Sequence, residues 1–291
     1  MAYSGQTAYI TGGASGIGRN VADMVVSKGI KVFLADRNLE GARAVAKELN
    51  KKANAEVAWA VQVDVTDWDS QREGFETAVK TFGRIDYVYP IAGIAETVWL
   101  PNRTKATSFE KPDLSVLDVD ATGVFFTIAL ATQQFRTQEP GKFGYRGKIV
   151  TVSSVRGLYA VPSMPIYCAA KFAVVGFVRA WGKQLIDEKI TVNAVCPAIL
   201  RTGIAVGASD WYSEAEKLNL IVKMESLLNA FSYLLGDNPI SGECFEIPPG
   251  KIDNPEGWVI KAQTPFTTPE SEVHAGYSNR QFSNLHAPIA E

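Results

Sequence analysis

Short apolar runs alternate along the chain with longer segments whose apolar residues recur at helical spacing. The runs at 7–11, 31–35, 57–63, 85–89, 148–153, 191–195 and 244–247 are rich in Val, Ile and Tyr. Several are apolar throughout rather than alternating, which predicts strands covered on both faces, as in a parallel sheet. Between them, residues 17–27 set Ile17, Val21 and Val25 on one stripe. Residues 167–187 likewise align Val174, Val178, Trp181 and Leu185. Strand–helix alternation of this kind predicts right-handed crossovers and an α/β fold. The expected architecture is a single doubly wound, Rossmann-type domain over residues 1–250, with a seven-stranded parallel sheet and helices on both faces. Two regions break the pattern. Residues 96–113 read as a long polar loop, and residues 251–291, with Pro255, Pro265, Pro269 and Pro288, read as a C-terminal extension.

Composition narrows the chemistry. Of 291 residues, 46% are hydrophobic, enough for a sizeable core, and the net charge of −2 argues against a basic nucleic-acid surface. No run reaches ~18 consecutive apolar residues, so no membrane-spanning helix and no membrane partner are expected. The N-terminal residues have neither a basic start nor an apolar leader segment. Cys168, Cys196 and Cys244 form no C-x-x-C pair, and an odd count without framework spacing predicts reduced thiols. A cytoplasmic location is expected. Only two histidines occur, His274 and His286, both near the C-terminal end. A Ser-His-Asp triad or a histidine zinc site would have to draw on that tail, so no metal site is expected and most of the chain works without imidazole.

The first strand runs into Thr11-Gly12-Gly13-Ala14-Ser15-Gly16-Ile17-Gly18, followed by a helix. Glycines at a strand-to-helix turn let backbone approach a pyrophosphate, which then rests on the helix N-terminus. The spacing is G-x-x-x-G-x-G, and no Gly-Lys-Ser/Thr follows, so this is not a P-loop. A glycine turn alone is a weak signal. Asp36, at the end of the second strand and twenty residues beyond Gly16, strengthens it, because an acidic side chain there can accept from a ribose 2′-hydroxyl. The competing reading makes Asp36 a helix N-cap ahead of Leu39. A carboxylate at this place favours NAD over NADP, although Arg37 beside it is the residue type that serves a 2′-phosphate. Asp64 and Val65, after the third strand, stand where an adenine ring would lie.

Tyr167 and Lys171 are four apart on an expected helix and so share a face. An ammonium beside a phenol favours the phenolate, which can act as a general base without histidine. Ser154 ends a strand at the carboxyl edge of the sheet, where ligands bind in open α/β folds. Y-x-x-x-K by itself is common and mostly accidental.

Together these features resemble the short-chain dehydrogenase/reductase family over roughly residues 5–250. The carriers are T-G-G-A-S-G-I-G at 11–18, Asp64-Val65, Ala92-Gly93, Ser153-Ser154, Tyr167-Cys-Ala-Ala-Lys171, Asn193-Ala-Val-Cys-Pro197 and Ser241-Gly242-Glu243. Within the family, VYPIAGI, PIYCAAKFAVVGF and NAVCPAILRT are most similar to the 15-hydroxyprostaglandin dehydrogenase type. The resemblance implies hydride transfer between a nicotinamide and a secondary alcohol or ketone. It gives Tyr167 the proton transfer, Lys171 the nicotinamide ribose, and Ser154 the orientation of the substrate. Gly12, Ser15, Gly16, Ile17, Gly18, Asp36, Arg37, Asp64, Val65, Ala92, Gly93, Pro197 and Thr202 are the expected cofactor residues, with Thr202 at the carboxamide. It further implies a homodimer or homotetramer built on the helix of Tyr167 and the long helix before it.

There are departures from the pattern. Asp120, in V-D-A-T-G, stands where the family has a catalytic asparagine that holds a water in the proton relay. An aspartate can accept from water but adds negative charge near Lys171. Ile91 replaces an asparagine whose amide braces the turn after the fourth strand, and Ala198 replaces a glycine. The leading expectation is an NAD-dependent alcohol dehydrogenase acting on a small lipophilic substrate, since Ile204, Val206, Trp211 and Tyr212 follow Thr202 in a lid-like segment. The alternatives are an NADPH-dependent ketone reductase and a non-redox scaffold of the same fold.

Overall fold

The computed structural model describes residues 2–100, 108–204, 209–250, 252–282 and 285–286. The expected strands form as β1 (Thr7–Thr11), β2 (Lys31–Asp36), β3 (Ala58–Gln62), β4 (Tyr87–Pro90), β5 (Gly147–Val152), β6 (Ile190–Pro197) and β7 (Cys244–Ile247). All seven pair in parallel. An eighth strand, β8 (Val259–Ile260), adds antiparallel to the outer edge of β7. The expected seven-stranded parallel sheet is thereby corrected to eight strands with one antiparallel edge. β8 is only two residues long and both are exposed, too short a run for the sequence to mark it as a strand. The order is β3-β2-β1-β4-β5-β6-β7-β8. The chain moves outward from β1 in one direction and then, from β4, in the other, which opens a crevice at the carboxyl ends of β1 and β4.

Every residue of β1, β4, β5, β6 and β7 is buried, which is why these runs lack polar alternation. Successive side chains go to opposite faces. Ile10 joins a core completed by Val21 and Val25 of α1 (Gly16–Ser27), Leu49 of α2 (Leu39–Ala53) and Phe231 of α8 (Met224–Tyr233). Tyr9 joins the other, with Phe75 of α3 (Trp68–Phe82), Ile128 of α5 (Gly123–Arg136) and Val174 of α6 (Pro165–Leu185).

A short turn of helix, α4 (Ser115–Leu117), continues through a π-helical turn (Asp118–Thr122) into α5. Within the continuous stretch Ser115–Arg136 an 18-residue window has a mean hydropathy of 1.4, long and apolar enough to cross a membrane by those two criteria. It is not a run of consecutive apolar residues, since Asp118 and Asp120 interrupt it. More than half of it is buried inside the fold, as suits a core helix. The chain divides into two compact units, Met1–Ile260 and Lys261–Glu291. β8 belongs to the larger unit, so that unit runs past the expected boundary at 250. The smaller unit carries α9 (Pro269–Phe282).

Candidate active site

The turn after β1 is shaped by contacts that exclude side chains. Gly12 has φ +72, and a Cβ there would lie 2.8 Å from the backbone of Ala92. A Cβ on Gly18 would collide with the Gly12 carbonyl. The two glycines therefore let β1, α1 and the Ala92-Gly93 turn close together. Ser15 caps α1 without a side-chain hydrogen bond, and no acidic residue occupies the first turn. The positive end of the helix is left for an anion, as a pyrophosphate requires. Ile17 packs on the core beneath.

Asp36 is half-buried, and its Oδ2 accepts from the Ala14 N–H at 3.0 Å while Oδ1 accepts from the Asn38 N–H at 2.9 Å. The cap of α2 is Asn38, which accepts from Gly41 at 3.0 Å. The N-cap reading of Asp36 is corrected accordingly. Each Asp36 oxygen keeps a further lone pair for ribose hydroxyls. Arg37 is exposed, and Asp64 turns into its own loop, accepting from the Thr66 hydroxyl at 2.7 Å and N–H at 2.9 Å. Those bonds, helped by Arg37, hold the Asp64 carboxyl below its ordinary range. Val65 packs against Gly123, where a Cβ would lie 3.0 Å from its side chain. At the end of β4 the bracing lost with Ile91 is supplied by Thr11, whose hydroxyl accepts from the N–H groups of Ile91 (3.1 Å) and Ala92 (3.4 Å).

Ser154 lies just past β5, buried, with its hydroxyl donating to the Pro197 carbonyl (3.4 Å) and accepting from the Arg156 N–H (3.1 Å). Tyr167 is in the first turn of α6, behind Pro165, and its N–H donates to Glu96 Oε2 at 2.6 Å. Sequence reasoning missed Glu96, which lay in a segment read only as polar loop. The Lys171 ammonium is buried, 5.4 Å from the centre of the Tyr167 ring, and donates to the Val152 carbonyl at 3.4 Å. Asp120 Oδ2 stands 3.0 Å from Lys171 Nζ, a direct ion pair. Burial pulls the Lys171 pKa down, but Asp120 first, then Tyr167, outweigh it and hold the group above its ordinary value.

Thr202 lies over the start of α1, its Cβ 3.5 Å from where a Cβ on Gly16 would stand, and its carbonyl accepts from the Tyr212 hydroxyl at 3.1 Å. Tyr212 belongs to α7 (Ser209–Lys217), while Val206 falls outside the described residues. Gly16, Thr202, Gly203 and Tyr212 help line a cavity of about 650 Å³ on the flank of α1.

The family model for short chain dehydrogenases matches residues 6–213. The chain is similar to 15-hydroxyprostaglandin dehydrogenase (NAD+) of Macaca fascicularis, 33% identical over 206 residues that cover 70% of this chain and 71% of that one. It is similar also to 3-oxoacyl-(acyl-carrier-protein) reductase of Thermotoga maritima, 33% identical over 205 residues, 69% of this chain and 77% of that one. Among solved structures, a short-chain type dehydrogenase/reductase from Mycobacterium marinum superposes with a TM-score of 0.74 at 27% identity, covering 84% of this chain and 95% of that one.

Proposed function

The chain belongs to the short-chain dehydrogenase family and is an oxidoreductase, and from that premise we propose that it interconverts a secondary alcohol and its ketone on a small lipophilic substrate, with NAD as cofactor. The carrying observation is the ammonium of Lys171 lying 5.4 Å from the Tyr167 ring, at the same sheet edge as Ser154 and the glycine turn. When bound, NAD supplies the acceptor for the hydride leaving the alcohol carbon. Tyr167 takes the proton from the alcohol oxygen as a general base, with the Lys171 ammonium beside its ring. Ser154, fixed by Pro197 and Arg156, holds the substrate oxygen. Gly12, Ser15, Gly16, Ile17 and Gly18 would receive the pyrophosphate, and Asp36 the adenine ribose, with Arg37, Asp64 and Val65 around the adenosine. Ala92, Gly93, Pro197 and Thr202 would line the nicotinamide side.

Asp36 supports NAD, as does the cofactor in the name of the Macaca relative. The exposed Arg37 next to it supports the second reading, an NADPH-dependent ketone reductase. Exposed apolar side chains at Val98, Leu100, Tyr159, Ile204 and Trp211, all in segments that follow β4, β5 or β6, support a lipophilic substrate. A homo-oligomer formed through α5 and α6 is part of the same reading. Phe125 and Phe177 stack there at 4.6 Å, and Phe172 is exposed. The free, buried Cys168, Cys196 and Cys244 accord with a cytoplasmic location. The test is fluorescence titration with NADH and NADPH, followed by absorbance at the nicotinamide band with a panel of secondary alcohols. Preferential NADH binding and reduction of NAD by a lipophilic alcohol are expected. Tighter NADPH binding, or no redox turnover with any alcohol or ketone, would overturn the reading.

A further inference from the structure

Asp120 is fully buried within the π-helical turn between α4 and α5. A buried carboxylate is costly unless paired and hydrogen-bonded. Both oxygens are engaged, on different elements. Oδ1 accepts from the Ile94 N–H at 2.8 Å, in the turn that follows β4. Oδ2 faces the Lys171 ammonium at 3.0 Å and takes no hydrogen bond from any other group among the described residues. Gly93 leaves this oxygen its room, since a Cβ there would lie only 3.2 Å from it. Two residues past Ile94, Glu96 takes the N–H of Tyr167. One short segment is thus pinned to the catalytic helix twice, each time by a carboxylate.

We infer that Asp120 is a positioning residue whose carboxylate keeps Lys171 an ammonium and fixes it between Tyr167 and the Gly93-Ile94 turn. An asparagine could not hold both contacts. If its one oxygen served Ile94, its amide N–H groups would meet the ammonium, donor against donor. The groups facing Lys171 are Tyr167 on its own helix, Asp120 on the π-helical turn, Cys196 on β6 and the Val152 carbonyl on β5. Asp120 is the only carboxylate among them. The catalytic consequence rests on the hydride-transfer reading above; the ion pair does not.

The test compares wild type with Asp120→Asn by two readouts. The first is the pH profile of kcat for alcohol oxidation. The wild type should stay active to pH values above the ordinary lysine pKa of about 10.4, and the alkaline limb of the variant should fall by roughly 1–2 pH units. The second is Tm against pH, which needs no turnover. A lysine with a raised folded pKa contributes stability that is present below its unfolded value and lost as pH rises through the folded one. The Tm gap between the two proteins should therefore be full at neutral pH and shrink above about pH 10.4. An unmoved limb with a Tm gap independent of pH would overturn the inference. If wild type turns over no alcohol yet the Tm gap shrinks as described, the ion pair stands and the hydride-transfer reading fails. Should Asp120→Asn not fold, Asp120→Glu, which restores the carboxylate, should fold and keep the wild-type limb. A limb displaced to lower pH in that variant would count against it.

Discussion

Two side chains, one in the proposed cofactor crevice and one in the core, can be probed singly. Asp36 already holds the N–H groups of Ala14 and Asn38, so its carboxylate is oriented before any ribose arrives. Charge-assisted bonds to ribose hydroxyls contribute ~1.5–3 kcal/mol, so Asp36→Ala should weaken NAD binding roughly ten- to hundredfold and narrow the gap to NADP. Titration of both cofactors against the variant checks this, and an unchanged preference would assign the choice to Arg37. Tyr89 lies wholly inside the core with a hydroxyl that meets no hydrogen-bond partner among the described residues. Its ring still packs on Tyr87 and Phe231. Removing an unsatisfied hydroxyl recovers part of a ~1–3 kcal/mol desolvation cost, so Tyr89→Phe should raise stability by about 1 kcal/mol in urea unfolding. At this scale the sequence was readable where partners are near in the chain. Tyr167 and Lys171 announce themselves four residues apart. Glu96 does not, because its partner lies 71 residues away, and no local spacing encodes that contact.

Elements were legible in proportion to how completely they are buried. β1, β5 and β6 read directly from the chain because both faces are covered. β8 did not, being two exposed residues added at an edge. The π-helical turn at Asp118–Thr122 was equally silent, since a single wide turn carries no residue signature of its own. β5 contains a polar exception, Lys148, which is buried and caps the carbonyls of Asn238 (2.5 Å) and Leu234 (3.4 Å) beneath the Tyr145 ring. Burial pulls its pKa down to about 8, against a small opposing effect of Asp237. Between that value and an ordinary lysine pKa of about 10.4, the unfolded chain binds more protons than the folded one, so stability should rise with pH across this window. Lys148→Met should flatten the rise, as measured by urea unfolding at pH 8 and at pH 10. This window lies below the one assigned to Lys171, so the two effects are separable.

At the scale of the whole sheet, the strand order brings the loop-borne candidate residues to one edge. The reversal between β1 and β4 opens the crevice, and the ends of β5 and β6 bring Ser154 and Pro197 to the same edge. Fold class and family were legible because the glycine turn, Ser154, Tyr167 and Lys171 occur in order along one alternating chain. What the sequence could not convey is how the departures fit together. Ile91 loses an amide brace, and the side chains of Thr11 and Asp120 accept from the backbone N–H groups of that turn instead. Those are contacts between separate elements, visible only once the sheet has formed. The central claim is that Tyr167 carries the proton of a nicotinamide-dependent oxidation. It is tested most directly by Tyr167→Phe, measured for alcohol turnover and for NADH affinity on the same preparation. The ring contributes little to pyrophosphate or adenine binding, so turnover should be lost while NADH affinity stays within a few-fold of wild type. Turnover above ~10% of wild type in that variant would contradict the claim.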